Sequence, residues 1–332
     1  MEFDLIQRIR QRATTRDDVV LGIGDDAALL QPPAGRQLVV AMDTLNAGVH
    51  FPVDTAPADI GWKALAVNLS DLAAMGAEPA WCTLSLSLPE ADAAWIDGFL
   101  DGFLELADRH GVSLVGGDTT RGPLSVCVTV HGFVEAGCAL RRDGARVGDD
   151  VWVSGSLGDA AGALALLMDA PRAAAQHPGG TNDGAPSDAK VSPALRERLD
   201  RPDPRVALGV ALAGIAHAAV DVSDGLLADL GHVAHASGVG ADIAIDQLPT
   251  SAALGRHFGR EERRALQATG GDDYELCFVA PVAARNAVQR AADASATPVT
   301  RIGTVVEAAG VRALGAGGDA WHPMRLGHEH FR

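Results

Sequence analysis

The chain has 332 residues, 47% of them hydrophobic, and a formal net charge of −16. That length and apolar content allow two ordinary domains, each with its own core, and the acidic balance excludes a nucleic acid held through its phosphates. An acidic protein that takes a phosphorylated ligand needs metal ions between the two sets of negative charge.

The first element, Phe3 to Arg12, reads as a short amphipathic helix. The N-terminal run Met1-Glu2-Phe3-Asp4-Leu5-Ile6-Gln7-Arg8 has acid where a secretory leader has base, and no long apolar run follows. Elsewhere the longest uncharged apolar stretch, Val206 to Val220, is too short to cross a bilayer. A soluble cytoplasmic protein with no membrane partner is the expectation. Cys82, Cys127, Cys138 and Cys277 lack metal-ligand spacing, so reduced, buried thiols are expected.

Val19 to Leu30 places Gly22-Ile23-Gly24-Asp25-Asp26 as a glycine-rich turn between apolar segments. Adjacent carboxylates on such a turn are either simply solvated or share a cation. Gln37 to Met42 is a strand signal ending at Asp43-Thr44, and His50 follows in Gly48-Val49-His50-Phe51, where a lone histidine is as readily structural as functional.

Trp62 to Gly76 is the stretch around which the chain is organised. Leu65, Leu69 and Leu72 recur at helical spacing, while Ala64, Asn68 and Asp71 fall along another face of the same helix, which Gly76 closes. An ionised Asp71 in so apolar a setting costs several kcal/mol, on the order of, unless a donor or cation meets it. Cys82 to Pro89 alternates as a strand, and Ala93 to His110 is a second amphipathic helix. Val112 to Gly122 reads as a strand running into a turn, Gly116-Gly117-Asp118, before a further strand from Ser125 to Val134.

A linker is expected near Gly137 to Gly148, where Arg141, Arg142 and Arg146 are either solvated or, for Arg142, placed to hold a phosphate in bidentate fashion. Asp150 to Val153 is a strand; the turn Ser154 to Asp159 then enters a helix running to Met168, a start that suits phosphate. Pro171 to Pro193 turns to Ala, Pro, Gly and Asp without periodicity and reads as an exposed, mobile insertion. Helix returns from Arg205 to Ala218. Asp221-Val222-Ser223-Asp224-Gly225 is an acidic turn between strand and helix, and capping accounts for one of its acids but not both. Ala241 to Ile245 is a strand. Gly270-Gly271-Asp272-Asp273-Tyr274-Glu275 repeats the glycine-plus-acid turn before another strand, and Trp321 lies in a short tail.

These acids have few lysines to meet them, since Lys63 and Lys190 are the only two. Neither completes a glycine-rich phosphate loop, and no protein-kinase motif set occurs. Calcium loops begun at Asp25 or Asp221 would end at Arg36 or His232, where a bidentate Glu is required. Scattered hard oxygen ligands suit magnesium, which keeps several waters and binds through carboxylates together with substrate phosphates.

Taken together and in order, Gly22 to Asp26, Asp43-Thr44, Gly48 to Phe51, Asn68 to Asp71, Gly116 to Gly122, Asp221 to Gly225 and Gly270 to Leu276 resemble the thiamine-monophosphate kinases. That family belongs to the aminoimidazole-ribonucleotide-synthetase-like (PurM-like) ATP-binding superfamily, and the resemblance covers nearly the whole chain. It implies a two-domain α/β fold: an N-terminal domain over residues 1–137, whose sheet pairs with its copy in a homodimer, and a C-terminal α/β domain over 148–332. It implies γ-phosphoryl transfer from ATP to thiamine phosphate.

Carried over by residue, Asp26, Asp43, Asp71, Asp118, Asp221 and Asp224 would hold several magnesium ions. Gly117, Asp118, Arg142 and Ser223 would contact ATP, and His50, Asp272 and Trp321 would contact thiamine phosphate. No catalytic base is implied. Two departures stand out. Ala41 and Met42 replace the hydroxyl residues common before Asp-Thr, and a tryptophan of the family aligns with Arg325, four residues past Trp321. The alternatives are another ATP-using enzyme of the superfamily or a noncatalytic metal- or nucleotide-binding protein.

Overall fold

The computed structural model describes residues 2–175, 191–323 and 327. In chain order the elements are α1 (Glu2–Arg12), β1 (Val19–Leu21), β2 (Leu29–Leu30), β3 (Arg36–Asn46), α2 (Pro57–Ala74), β4 (Glu78–Leu88), α3 (Ala93–Arg109), β5 (Ser113–Arg121) and β6 (Ser125–Glu135). There follow β7 (Asp150–Ser154), α4 (Asp159–Ala175), α5 (Pro193–Asp200), α6 (Val206–Leu212), β8 (Ala218–Val222), α7 (Leu226–Ser237) and β9 (Gly240–Ala244). The last are α8 (Ala252–His257), α9 (Arg260–Thr269), β10 (Glu275–Ala280), α10 (Arg285–Ala294), β11 (Val299–Val306), β12 (Gly310–Leu314) and β13 (Ala320–Trp321).

The chain divides into two compact units, Met1–Leu140 with Pro204–Gly214, and Arg141–Asp203 with Ile215–Arg332. In the first, a four-stranded sheet has the order β3-β6-β4-β5. β3 and β4 run antiparallel to β6, while β5 lies parallel to β4 after the crossover through α3. The inward row of this sheet is apolar, with Val126, Val128, Val130, Leu84 and Leu86 buried. The alternate residues of β3 face outward, leaving Leu38, Val40 and Met42 about half exposed or more.

Helix α2 is buried almost all round, from Ile60 to Ala74, with Asp71 the residue of that run left half-buried. It can lie so deep because glycines let backbones meet: a side chain on Gly61 would strike the Phe99 carbonyl of α3, and one on Gly102 the Ala58 carbonyl. Gly76, left-handed at φ 67°, ends the helix. The Gly76 N–H bonds Ala73 O and the Ala77 N–H bonds Leu72 O, which satisfies the last carbonyls.

In the second unit a seven-stranded sheet has the order β13-β12-β9-β11-β7-β10-β8. Val151, Val153, Val220, Val222, Cys277 and Val279 pack with Leu226, Leu227 and Leu230 of α7 to form its core.

Several expectations change. The helix predicted over Arg205 to Ala218 is only α6, because Gly214 takes φ 76° and the chain turns before β8. Gly116 to Arg121 is strand, not turn, since parallel pairing with β4 continues to the Leu88–Arg121 register. Helix α4 continues past Met168 to Ala175, and residues 176–190 of the expected insertion lie outside the described residues. Cys82 and Cys277 are buried, but Cys127 is half-buried and Cys138 exposed. Among the described residues no helix is long and apolar enough to cross a membrane.

Candidate active site

In the first unit the acids gather at one end of the four-stranded sheet. Register puts Asp43 in a row with Val128, Leu84 and Gly117, and puts Asp118 in the next row with Thr44, Cys127 and Ser85. Three inter-strand spacings separate the two, about 14 Å. Asp43 shares the inward face with Leu45, on the α2 side, and its backbone N–H donates to Asn68 Oδ1 at 2.8 Å. One helical turn further along α2 stands Asp71. The turn at Gly22 to Asp26 is exposed at its acids, with the Asp26 N–H donating to Asp25 Oδ1 at 2.8 Å.

His50 sits in the loop between β3 and α2. Its Nδ1 accepts the Asn46 N–H at 3.0 Å, and Lys63, 2% exposed, donates to the His50 carbonyl at 3.1 Å. An Nδ1 that accepts leaves the ring proton on Nε2, a donor suited to an anion. Gly117, at φ 151°, lies against β4 so closely that a side chain would strike Leu84 O. Beside it, Ile6, Ile9 and Ile23 line a cavity of about 90 Å³ with Gly116 to Thr119. The apolar wall from α1 carries no motif, so the sequence offered only its helical periodicity.

In the second unit two acid-bearing turns are tied together. Asp272 N–H donates to Ser223 O at 2.9 Å and Tyr274 N–H to Val222 O at 2.8 Å, so Asp221, Ser223, Asp224 and Asp272 meet at one end of β8 and β10. Beneath them is Asp229, which motif reading missed. Its Oδ2 accepts the N–H groups of Ser223, Asp224 and Gly225 at 3.1, 3.1 and 3.0 Å. An acid in the first turn of a helix is the signal that could have found it. Burial, and then the charges of Asp221 and Asp224, push the Asp229 carboxyl up to about 7. The charges of Asp221 and Asp224 lie close enough to contribute to that rise, a crowding of like charge that a divalent cation relieves.

Among the described residues no three of His, Cys, Asp and Glu stand close enough to hold one ion by themselves. Magnesium completes its six ligands with water and phosphate oxygens, so the scattered hard oxygens still fit it.

Two expected residues stand apart from these turns. Arg142 is exposed, and its carbonyl accepts from Ser237 Oγ at 2.8 Å at the C-terminal end of α7. The 12 residues of that helix separate it from the Ser223-Asp224 turn by about 18 Å. Trp321, on β13, pairs with Ala313 of β12 and packs, partly buried, against the core at the sheet edge opposite β8. The tail does return to the acidic turn, at Gly327, where a side chain would lie 2.8 Å from Asp224 O. Arg325 lies outside the described residues.

The family profile described as AIR synthase related protein, N-terminal domain, matches residues 24–134, and its C-terminal counterpart matches 146–315. Thiamine-monophosphate kinase of Escherichia coli K12 is 48% identical over 303 residues, 91% of this chain and 89% of the relative. The crystal structure of thiamine-monophosphate kinase from Stenotrophomonas maltophilia K279a superposes with a TM-score of 0.82 at 57% identity, covering 96% of this chain and 98% of that one. A structure described as AaThiL complexed with AMPPCP and TMP gives 0.74 at 31% identity, covering 98% and 96%.

Proposed function

Since this chain belongs to the thiamine-monophosphate kinase family of AIR synthase related proteins, we propose that it transfers the γ-phosphoryl group of ATP to the phosphate of thiamine phosphate, giving thiamine diphosphate and ADP. The observation that carries this for the chain's own residues is the joined pair of turns around Asp221, Asp224 and Asp272, with the raised carboxyl of Asp229 below. Such a place is hostile to a phosphate alone and receptive to a phosphate accompanied by cations. The complex of the AaThiL relative with AMPPCP and TMP supports the same pair of ligands.

Phosphoryl transfer is mostly positioning and charge neutralisation. The acceptor phosphate is already ionised near neutral pH, so no general base is required and none is assigned. Magnesium, when bound, offsets the repulsion between donor and acceptor anions. Its proposed ligands are Asp26, Asp43, Asp71 and Asp118 in the first unit and Asp221 and Asp224 in the second. Next to Asp43, Ala41 and Met42 have only backbone carbonyls to offer. Gly117, Asp118 and Ser223 are proposed to contact ATP, Gly117 through its backbone where it lines the cavity beside Asp118. Arg142 is proposed for a more distant part of the nucleotide. His50, through Nε2–H, and Asp272 are proposed to hold thiamine phosphate.

A homodimer joined through the outward face of the four-stranded sheet is also proposed, because Leu38, Val40 and Met42 form an exposed apolar row that a second copy would cover. The test of function is ADP release by purified protein with ATP, magnesium and thiamine phosphate, compared with thiamine alone. Release with thiamine phosphate only is expected. Equal release with neither acceptor, or with unphosphorylated thiamine, would overturn the assignment.

A further inference from the structure

The turn that carries Asp272 is held in a backbone shape that residues with side chains rarely adopt. Asp272 and Tyr274 both have positive φ, 68° and 49°, and such strain persists only where the surroundings over-determine it. Here they do. The backbone N–H groups of both residues are bonded to the β8 end, at 2.9 and 2.8 Å. Between them Asp273 is 1% exposed, and its two carboxylate oxygens receive the Gly158 N–H at 2.9 and 2.8 Å. Arg198 donates to the Asp273 carbonyl at 3.1 Å. Tyr274, the one tyrosine of the chain, is 8% exposed and donates its hydroxyl to Asp272 Oδ1 at 3.1 Å. Two strained residues two positions apart thus close a small ring, and the ring ends on a carboxylate.

We propose that Tyr274 is a positioning residue that sets the rotamer of Asp272 against the cationic, amine-bearing part of the phosphorylated acceptor. The inference rests on the reading of thiamine phosphate as acceptor and deepens it. Thiamine phosphate presents a positive ring and an aromatic amine, and a carboxylate aligned before binding loses less rotational freedom when it meets them. Ser223, the ATP contact proposed beside it, meets the Asp272 backbone N–H, which does not depend on that alignment, so KM for ATP is expected to hold.

The test is Tyr274→Phe, which removes one oxygen and keeps the ring in place. Steady-state kinetics with each substrate varied are combined with calorimetric titration of thiamine phosphate and a thermal melt. The expected result is a rise of about 5- to 10-fold in KM and Kd for thiamine phosphate, the scale of one typical net hydrogen bond lost. kcat, KM for ATP and Tm stay close to wild type. In an Asp272→Asn background the same substitution has a smaller effect, because the group it aligns is already altered. Unchanged KM and Kd for thiamine phosphate overturn the inference, as does a loss spread over kcat, KM for ATP and Tm together. If the wild-type protein neither binds nor phosphorylates thiamine phosphate, the reading of the acceptor falls and this inference falls with it.

Discussion

Asn68 and Asp43, 25 positions apart in the chain, meet through one hydrogen bond of 2.8 Å from the Asp43 N–H to Asn68 Oδ1. The other end of the same buried amide donates to Ala64 O at 2.9 Å, so Asn68 ties α2 to β3 with both of its polar atoms. Asn68→Ala removes the acceptor and strands a backbone donor. A loss of about 1–3 kcal/mol is expected, read by urea denaturation, together with a higher magnesium concentration for half-maximal activity. Stability equal to wild type would mean that Asp43 does not depend on this tie.

Asp71 is the residue that α2 does not bury within its long buried run. Asp71→Asn is close to isosteric and leaves the apolar face of the helix alone. Turnover should fall at least about 100-fold, the scale of losing a ligand to transition-state charge, with circular dichroism and Tm near wild type. Retained turnover would remove Asp71 from the magnesium set.

For Asp229 the sign of the pH effect is determined by its raised carboxyl. The folded value of about 7 exceeds the ordinary 3.8. The folded state therefore binds the proton more tightly, and this contribution to stability is complete below the ordinary value and lost as pH rises through 7. In metal-free buffer the protein should lose stability, on the order of a few kcal/mol, between about pH 4 and pH 7. Magnesium should reduce that loss, and Asp229→Asn should flatten it; chemical denaturation at a series of pH values gives the measurement.

Trp321 packs against the core of the second unit at the far sheet edge. Trp321→Ala should cost about 1–3 kcal/mol of stability and leave KM for thiamine phosphate near wild type at temperatures below the melt. A selective rise in that KM would return Trp321 to the acceptor site.

Val40 is 53% exposed on the outward row of β3, between Leu38 and Met42. Val40→Asp places a charge in the proposed dimer face without touching the inward core. Light scattering coupled to size exclusion should show a dimer for the wild type and a monomer for the variant. A monomeric wild type would leave the apolar row without its proposed occupant.

Much of the local architecture was legible before folding was considered. The 3.6-residue spacing of Leu65, Leu69 and Leu72 predicted the central helix, and Gly76 predicted its end, because both signals act within a turn or two of the chain. Alternation in Ser125 to Val134 predicted β6 for the same reason. Where the local signal is shared between two structures, reading failed: Gly116 to Arg121 carries the residues of a turn, yet pairing with β4 draws it into strand. Arg205 to Ala218 carries the composition of one helix, yet Gly214 divides it.

The sequence by itself determined the α/β class and the acid-bearing turns at Gly22 to Asp26, Asp221 to Gly225 and Gly270 to Glu275, since hard carboxylates beside glycines are a local pattern. Only the tertiary structure decided which acids are brought together. Asn68 was joined to Asp43, Asp229 was placed beneath Ser223 to Gly225, and Trp321 was drawn to the edge away from Asp272. Those choices depend on packing and strand register between distant segments, and each is made where burying apolar area and satisfying buried hydrogen bonds agree.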